Sequence, residues 1–408
     1  MSTSVRNLAV LSLHTSPLVQ PGSGDSGGMN VYVRELVSAL AQAGVDTTVY
    51  VRRWSDDLPT EVEVERGFRV VHVPAGPVDL PKEKLPAVTD AFTRWTLDHL
   101  RSERTADVVH ANYWLSGVSG HDIKHELDLP LVSTFHTLAR VKADTGDPEP
   151  ARRIDAETMV VRCSDAVLAN SDAEATQLVE LYGADPDRIE IVPPGVDHAF
   201  FSPGDRGGAR AALGIGDHPV ILFVGRIQPL KGLDVAIRAL GMLEDRTAEL
   251  VVVGGPSGAD GAVYEQHCHD LVGELGLTGR VRFCPPQPHH LLSTFFRASD
   301  VSVVPSRSES FGLVALEAAA CAIPVVAAGV GGLLTLVDHG ETGLLTDDRD
   351  PARFAAHIDH LLARPDRAAE MGRRAATRAS GYRWSITGAR LRRLYADLTT
   401  RAPVDCAG

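Results

Sequence analysis

Two cations follow a short apolar run near the middle of the chain, in the segment VGRIQPLKG at 224–232. Arg226 and Lys231 are five residues apart, just past the end of a predicted strand. Ligands of open α/β sheets bind outside the carboxyl ends of the strands. We therefore interpret the two side chains as a clamp for a diphosphate. The competing interpretation is that both are solvated surface charges.

Two glutamates stand eight residues apart in the segment SRSESFGLVALEAAACAIPVVA. Glu309 falls in a predicted loop and Glu317 a little over two helical turns later, so both side chains can face a ligand above the sheet. Carboxylates only accept hydrogen bonds, which suits the hydroxyl donors of a sugar. The competing interpretations are a partner of the helix N-cap for Glu309 and a solvated helix face for Glu317.

A glycine-rich loop precedes a predicted helix in the segment SLHTSPLVQPGSGDSGGMNVYVRELVSAL. Gly22, Gly24, Gly27 and Gly28 leave backbone N–H groups open at a helix N-terminus, which favours a phosphate. The spacing matches neither the dinucleotide-binding fingerprint nor the P-loop. A flexible turn is the competing interpretation.

The elements that must position these residues form two series of short apolar runs separated by segments of helical period. The first series comprises 7–13, 46–51, 68–73, 107–111, 130–135, 166–170 and 189–193. The second comprises 219–225, 249–255, 281–285, 301–306, 324–328 and 342–346. Helical segments include 28–44, 86–103, 172–182, 232–243, 262–275 and 312–321. This alternation predicts an α/β protein with two Rossmann-like, doubly wound domains.

The domain boundary is predicted where Pro, Gly and Asp concentrate, near 196–206. After residue 350 the pattern is only helical, in segments such as 351–363 and 383–398. We expect an N-terminal domain at 1–200 and a C-terminal domain at 201–382. A terminal helix at 383–408 is expected to cross back to the first domain.

Composition narrows the class of protein. The chain has 408 residues, with 40 Lys plus Arg against 53 Asp plus Glu and a net charge of −13, which argues against a nucleic acid or anionic membrane as partner. The N-terminal apolar run is too short for a signal peptide or a transmembrane segment. The five cysteines are dispersed without CxxC pairing, and we expect reduced thiols and a cytoplasmic location. They are Cys163, Cys268, Cys284, Cys321 and Cys406.

These motifs together carry a family resemblance. The loop G-R-x-x-x-x-K-G and the later E-x-F-G-L-x-x-x-E resemble those of retaining glycosyltransferases with the GT-B fold (group 1, family 4), and the match spans almost the whole chain. Further segments resemble the D-inositol-3-phosphate glycosyltransferases of mycothiol biosynthesis. They are HTSPLVQPGSGDSGGMNVYV, KEKLP, YWLSG, HTLARVK and GGPSG.

The resemblance implies transfer of GlcNAc from UDP-GlcNAc to 1D-myo-inositol 3-phosphate with retention of the α configuration. The catalytic residues would be His136, Glu309, Arg226 and Lys231. Donor-binding residues would be Gly28, Gln20, Pro21, Arg226, Lys231, Gln287, Glu309, Phe311, Gly312, Leu313 and Glu317. Acceptor-phosphate residues would be Lys82, Tyr113, Thr137 and Arg152, and inositol contacts would be His14, Asp25 and Asn30.

The implied chemistry needs neither a metal ion nor another cofactor, and the nucleotide sugar is a substrate. Negative charge grows on the departing diphosphate, so fixed cations and helix N-termini stabilise the transition state more than the ground state. The leaving phosphate takes the acceptor proton, and no protein nucleophile is expected. The implied partners are a nucleotide-sugar donor and a small anionic acceptor. The sequence leaves a homodimer open.

Several positions depart from the subfamily pattern. Asn112 and Ala143 replace a usual His and Asn, and Gln287 replaces a usual Arg near the base. These departures keep open a natural-product glycosyltransferase with another donor sugar or nucleotide and a carboxylated, hydroxylated or thiol acceptor. A UDP-sugar epimerase would need no acceptor pocket. An exported sugar-binding protein would need a signal peptide.

Overall fold

The computed structural model describes residues 5–22, 24, 26–144, 146–147, 149–258 and 260–406. The chain divides into two compact units. The first comprises Met1–Val19, Met29–Pro193 and Trp384–Gly408, and the second comprises Gln20–Gly28 and Pro194–Arg383. The glycine-rich loop thus groups with the second unit, although the strand before it belongs to the first.

The first unit contains an eight-stranded sheet in the order β3-β4-β2-β1-β5-β6-β7-β8, and all neighbouring strands are parallel except β3 and β4. Its strands are β1 (Asn7–Leu11), β2 (Asp46–Arg52), β3 (Glu61–Glu65), β4 (Phe68–Val73), β5 (Val108–Asn112), β6 (Leu131–Thr134), β7 (Ala166–Ala169) and β8 (Ile189–Ile191). Its helices up to residue 193 are α1 (Gly28–Gln42), α2 (Thr89–Ser102), α3 (Trp114–Leu127), α4 (Ala139–Asp144), α5 (Ala151–Cys163) and α6 (Asp172–Tyr182), with 3₁₀ turns at Lys82–Val88 and Pro186–Arg188.

The second unit contains a six-stranded, fully parallel sheet in the order β11-β10-β9-β12-β13-β14. Its strands are β9 (Val220–Val224), β10 (Glu249–Val253), β11 (Val281–Cys284), β12 (Val301–Val304), β13 (Val325–Ala328) and β14 (Gly343–Thr346). Its helices are α7 (Arg206–Leu213), α8 (Leu233–Met242), α9 (Gly261–Glu274), α10 (Leu292–Ala298), α11 (Leu313–Ala320), α12 (Leu333–Leu336), α13 (Pro351–Leu362) and α14 (Pro365–Ala379), with 3₁₀ turns at Pro229–Lys231 and His289–Leu291.

The strand orders define where each sheet reverses its winding. In the second unit the order reads 3-2-1-4-5-6 when the strands are renumbered from β9, which is the doubly wound arrangement. The reversal lies between β9 and β12 there, and between β1 and β5 in the first unit. Ligands of such sheets bind at the carboxyl ends of these strands. The prediction of two doubly wound α/β domains is confirmed.

Each sheet is covered on both faces. In the first unit, Phe92, Ile123 and Val160 from α2, α3 and α5 belong to one apolar cluster. Leu36 of α1 belongs to a second cluster with Val49 and Val108 of the sheet. The second unit repeats the pattern, with clusters that draw on α8, α9 and α13 on one side and on α10 and α11 on the other. Burial on both faces explains why the strands read as continuous apolar runs.

The last helix, α15 (Trp384–Leu398), belongs to the first unit, as the sequence predicted. Its buried face includes Trp384, Leu391 and Tyr395, which join the cluster that contains α1. The Tyr395 hydroxyl lies 2.8 Å from Nδ1 of His110, at the centre of the sheet. The helix therefore completes the covering of the first sheet from the far end of the chain.

The expectation of five reduced thiols is wrong for one pair. Cys163 and Cys406 form a disulfide with their Cα atoms 5.2 Å apart, while Cys268, Cys284 and Cys321 are free. The tail after α15 returns to the start of β7, where the Val404 N–H donates to Oδ1 of Asp165. The two cysteines are 243 residues apart in sequence, so no local spacing signals their pairing.

Candidate functional site

Two of the three predicted catalytic residues of the second unit, Lys231 and Glu309, contact each other. Lys231 closes the 3₁₀ turn after β9, and its Nζ donates to Oε2 of Glu309 at 2.6 Å. The side chains are 23% and 18% exposed, so the ion pair borders solvent. Arg226, at the end of the same strand, donates to the Ser257 hydroxyl at 3.3 Å. Lys231 and Glu309 thus neutralise each other at the reversal point of the sheet.

Two glycines allow helices to begin beside this ion pair. Gly232 has φ +73°, and a Cβ there would lie 2.4 Å from the Pro305 carbonyl oxygen. Gly312 has φ +101°, and a Cβ there would lie 2.7 Å from Cδ2 of Leu333. Side chains are excluded at both positions, so α8 and α11 start close to the strand ends. Their first N–H groups lack partners within the helix and favour an anion.

Glu317 and Glu309, which are eight residues apart, have different environments. Glu317 is 4% exposed and its Oε1 accepts from Nε2 of His289 at 2.7 Å. The interpretation of Glu317 as part of a solvated helix face is therefore wrong. The N-cap of α11 is Gly312, which has no side-chain hydrogen bond, and Glu309 bonds to Lys231 instead of capping that helix. Phe311, in the turn before α11, is buried.

Three of the predicted donor-binding residues lie around Pro286. Gln20 Nε2 donates to the Pro286 carbonyl at 3.0 Å, and the half-buried Gln287 donates to the Pro285 carbonyl at 2.9 Å. Pro21 follows Gln20 and is half-buried. All of these residues belong to the second unit.

The start of α1 also groups with the second unit. A Cβ at Gly28 would lie 3.5 Å from Cδ1 of Leu313, an ordinary contact, so space alone does not require glycine there. The predicted acceptor residue Asp25 lies outside the described residues.

In the first unit, aromatic rings gather at the carboxyl ends of β1, β5 and β6. The rings of His14 and Tyr113 have centroids 4.3 Å apart, and those of Tyr32 and His136 lie 4.8 Å apart. Tyr113 and His136 have φ of +75° and +62°, which non-glycine residues rarely adopt. Such backbone strain clusters at ligand-binding sites because the surroundings must hold it in place.

His136 is held as a neutral imidazole. Burial, with a smaller contribution from His110, lowers the pKa of His136 to about 3. Its Nε2 lies 2.9 Å from Oδ1 of Asn112, the residue that stands where the subfamily usually has His. An amide oxygen only accepts, so Nε2 carries the proton. The buried Nδ2 of Asn112 has no hydrogen-bond partner among the described residues.

The predicted acceptor-phosphate residues are arranged around an arginine that the sequence did not single out. Arg153 Nη2 donates to the carbonyl and the hydroxyl of Thr137 at 3.0 and 3.1 Å. Its guanidinium lies 5.0 Å from the centroid of the Tyr113 ring. Nε and Nη1 form ion pairs, each at 2.7 Å, with Glu157 and Glu149. Arg153 therefore fixes two of the four predicted residues while its own charge is compensated.

The other two predicted phosphate ligands lie on exposed segments. Arg152 is exposed, and its Nη2 reaches the carbonyl oxygen of Glu83 at 3.3 Å. Glu83 follows Lys82, the first residue of a 3₁₀ turn. The structure thus brings Arg152 to the segment that carries Lys82.

Asn30 supports the loop after β1. It donates 2.6 Å hydrogen bonds to the Thr15 hydroxyl and the Ser16 carbonyl, which hold the segment next to His14.

Two known protein families match this chain, one in each half. The family model for glycosyl transferases group 1 matches residues 205–378, and the model for glycosyltransferase family 4 matches residues 26–200. The chain belongs to the group 1, family 4 glycosyltransferases, which retain the configuration of the donor sugar and have the GT-B fold.

Individual relatives extend the comparison. D-inositol 3-phosphate glycosyltransferase of Kineococcus radiotolerans is 48% identical, over 95% of this chain and 94% of its own length. The Acidothermus cellulolyticus protein of the same name is 47% identical, over 94% of this chain and 88% of its own length. Among solved structures, sucrose-phosphate synthase from Thermosynechococcus elongatus is 31% identical with a TM-score of 0.91, covering 97% of this chain and 99% of its own. Anabaena HepE in complex with UDP and glucose, 20% identical with a TM-score of 0.77, covers 96% of this chain and 100% of its own and supports the fold.

No helix in the described part of the chain is both long and apolar enough to cross a membrane.

Proposed function

We propose that this protein transfers GlcNAc from UDP-GlcNAc to 1D-myo-inositol 3-phosphate with retention of configuration. The observation that carries the proposal is the similarity of 43 to 48% identity over nearly the whole chain to proteins named D-inositol 3-phosphate glycosyltransferase. The polar groups at the carboxyl ends of the strands in both sheets suit the phosphates and hydroxyls of these two substrates.

Donor activation is assigned to the second unit. Arg226, Lys231 and the first N–H groups of α8 and α11 would offset the charge that develops on the departing UDP. Lys231 would leave Glu309 for the diphosphate, which frees the Glu309 carboxylate to accept hydrogen bonds from sugar hydroxyls. Glu317, oriented by His289, would accept from the ribose.

Acceptor binding is assigned to the first unit. Lys82 and Arg152 carry exposed or half-buried positive charges and would bind the acceptor phosphate through charge-assisted hydrogen bonds. Tyr113 and Thr137, fixed by Arg153, would complete that pocket. His14, Asn30 and Asp25 are assigned to the inositol ring. Neutral His136 would accept a hydrogen bond from a hydroxyl of the donor sugar without adding charge.

The transfer step exchanges one bond on the same face of the sugar. The bond from C1 to the diphosphate oxygen breaks as the bond from C1 to the acceptor oxygen forms. The acceptor proton moves to an oxygen of the leaving phosphate. Because protein cations offset the charge of that phosphate, we propose that turnover needs no metal ion. Turnover that is lost in excess chelator and restored by Mg²⁺ or Mn²⁺ would contradict this.

The experiment that tests the function is mass spectrometry of the product formed from UDP-GlcNAc and inositol 3-phosphate, with free inositol as the control acceptor. We expect a disaccharide-like phosphate product, and little product from inositol. Tight binding of UDP-GlcNAc without any product would overturn the acceptor assignment and leave the reaction class standing.

A second candidate rests on Gln287, which stands where the subfamily usually has Arg near the nucleotide base. It is a natural-product glycosyltransferase with a different nucleotide or donor sugar. Calorimetry with UDP and GDP and their sugars separates the two. The cytoplasmic location and the homodimer that the sequence leaves open stay predictions, which cell fractionation and solution mass measurement test.

A further inference from the structure

The C-terminal tail brings two sulfurs together with two imidazoles in the first unit. His121 and His125 lie four residues apart on α3 and therefore share a face, with ring centroids 4.7 Å apart. Cys163 ends α5, and Cys406 lies in the tail. One ligand atom from each of the four residues lies within 4.8 Å of the other three. Nε2 of His125 is 3.2 Å from Sγ of Cys406.

This set of ligand atoms is characteristic of one kind of metal site. Two thiolate sulfurs and two imidazole nitrogens bind Zn²⁺ tetrahedrally in structural sites, and histidines with three to five residues between them are common there. Oxygen-preferring cations such as Mg²⁺ and Ca²⁺ are disfavoured by these ligands. The buried Nδ1 of His121 has no hydrogen-bond partner among the described residues, so no other contact commits that atom.

The backbone around the two cysteines is held by a buried ion pair. Lys124, on α3 between the two histidines, donates to the Cys163 carbonyl at 2.8 Å and to Oδ2 of Asp165 at 2.7 Å. The other oxygen of Asp165 accepts from the N–H of Val404. Asp165 therefore fixes the tail beside Cys163 through a contact that does not depend on the disulfide.

We propose that, when the Cys163–Cys406 disulfide is reduced, His121, His125, Cys163 and Cys406 bind one Zn²⁺ ion. Reduction transfers two electrons and two protons to the disulfide from a pair of external thiols, which become a disulfide. Zinc binding then displaces the two cysteine thiol protons into solvent. The tail is tied to α3 and α5 in either state, by a covalent bond in one and by the metal in the other.

The site has a structural role. Four protein ligands leave no open position for a substrate or a reactive water. Cys163 precedes β7, and His121 lies eight residues along α3 from Tyr113, about 12 Å at the helical rise. The four residues therefore lie toward the amino ends of the strands, opposite the carboxyl ends where the candidate transferase residues gather. The inference is independent of the proposed function.

The test uses the full-length protein reduced with a phosphine, dialysed free of metal and titrated with Zn²⁺ alone. We expect one zinc per chain, and binding weakened on the order of tenfold or more in His125→Ala and Cys406→Ser. Both positions are at least partly exposed, so folding should be retained. His267→Ala and Cys284→Ser serve as matched controls in the second unit and should bind as the unaltered protein does.

Co²⁺ substitution supplies a spectroscopic readout. Tetrahedral cobalt with thiolate ligands gives charge-transfer absorption and intense visible bands, which Cys406→Ser should weaken and Cys284→Ser should not. The proposal is overturned if the reduced protein binds no more zinc than Cys406→Ser, or if cobalt shows no thiolate charge transfer. Transferase activity should be the same in His125→Ala and in the unaltered protein.

Discussion

The two units hold their central cations in opposite ways. In the second unit, Lys231 and Glu309 are 23% and 18% exposed and bond to each other. In the first, Arg153 and Glu157 are 3% and 0% exposed, and Glu149 adds a second carboxylate. A solvent-bordered ion pair contributes about 0 to 1 kcal/mol, whereas removing one partner of a buried pair costs roughly 3 to 5 kcal/mol.

This difference assigns ligand binding to Lys231 and a structural role to Arg153. Lys231 can exchange Glu309 for an incoming diphosphate at little cost, because the pair it breaks is weak. If Arg153 left Glu157, two buried charges, its own and that of Glu157, would remain unpaired in an apolar environment. Arg153 is therefore a positioning residue for Tyr113 and Thr137, and the exposed neighbour Arg152 remains available for an acceptor anion.

The largest expected effect is on stability. Arg153→Met should lower the free energy of unfolding by roughly 3 to 5 kcal/mol, because Glu157 and Glu149 lose their shared partner. Arg152→Met, one residue earlier and exposed, should change it by about 0.5 kcal/mol or less. Urea unfolding of both variants measures the difference. Equal unfolding midpoints for Arg153→Met and Arg152→Met would contradict the assignment of Arg153 to a structural role and of Arg152 to ligand binding.

The next effect is on catalysis. Lys231→Ala should lower kcat/KM on the order of 10²-fold or more, because a charge on the departing diphosphate is worth a few kcal/mol in a closed site. Its melting temperature should barely change, since the lost ion pair borders solvent. Arg238→Ala, an exposed cation on α8, is the control for general charge effects. Normal turnover by Lys231→Ala would contradict the diphosphate assignment.

Acidification should remove the stability that two buried histidines of the first unit contribute, while Glu174, whose pKa burial raises to about 7, acts in the opposite direction. Burial lowers the pKa of both His110 and His136 to about 3, against about 6.5 in an unfolded chain. Between these values the unfolded state binds protons at the two histidines that the folded state excludes, so their contribution to the free energy of unfolding falls as pH falls below 6.5. The loss should reach about 2 kcal/mol per histidine by pH 5.

Urea unfolding at pH 7 and pH 5 measures this loss. His136→Asn should reduce it, while His267→Asn, an exposed position in the second unit, should not. The same pH dependence in His136→Asn and in the unaltered protein would show that His136 takes up its proton in the folded state.

The smallest effect concerns two cations of the first unit, half-buried Lys82 and exposed Arg152. Lys82→Ala and Arg152→Ala should each raise the acceptor KM about tenfold or more, since a charged hydrogen bond contributes roughly 1.5 to 3 kcal/mol. The donor KM should stay unchanged. Lys84→Ala, an exposed lysine in the same turn, is the matched control. If Lys84→Ala raises the acceptor KM as much as Lys82→Ala does, the segment attracts anions only through its general charge.

The doubly wound fold was predictable because the inner strands are buried on both faces and read as apolar runs. The strand that the sequence did not reveal is β3, whose sequence EVEVE alternates valine with glutamate. It pairs antiparallel at the sheet edge and none of its residues is buried, so a search for apolar runs passes over it. An alternating pattern is the signal that would have found it.

The site was predictable only as far as the motifs reach. Short motifs placed Lys231 and Glu309, 78 residues apart, at neighbouring strand ends of one sheet. No motif pairs His289 with Glu317, and no spacing distinguishes buried Arg153 from exposed Arg152. The sequence does contain a helical phase that places Arg153 on the face of Glu157, because the two are four residues apart in α5.

The position of α15 has a consequence for protein synthesis. The first unit uses Trp384, Leu391 and Tyr395 to cover its sheet, and these residues leave the ribosome only after residues 194–383 of the second unit. The second unit is nearly contiguous, from Pro194 to Arg383, and is fully translated before them. Domains fold as units during synthesis. The nascent chain therefore completes its second unit first, and its first unit waits with an incompletely covered sheet until α15 has been translated.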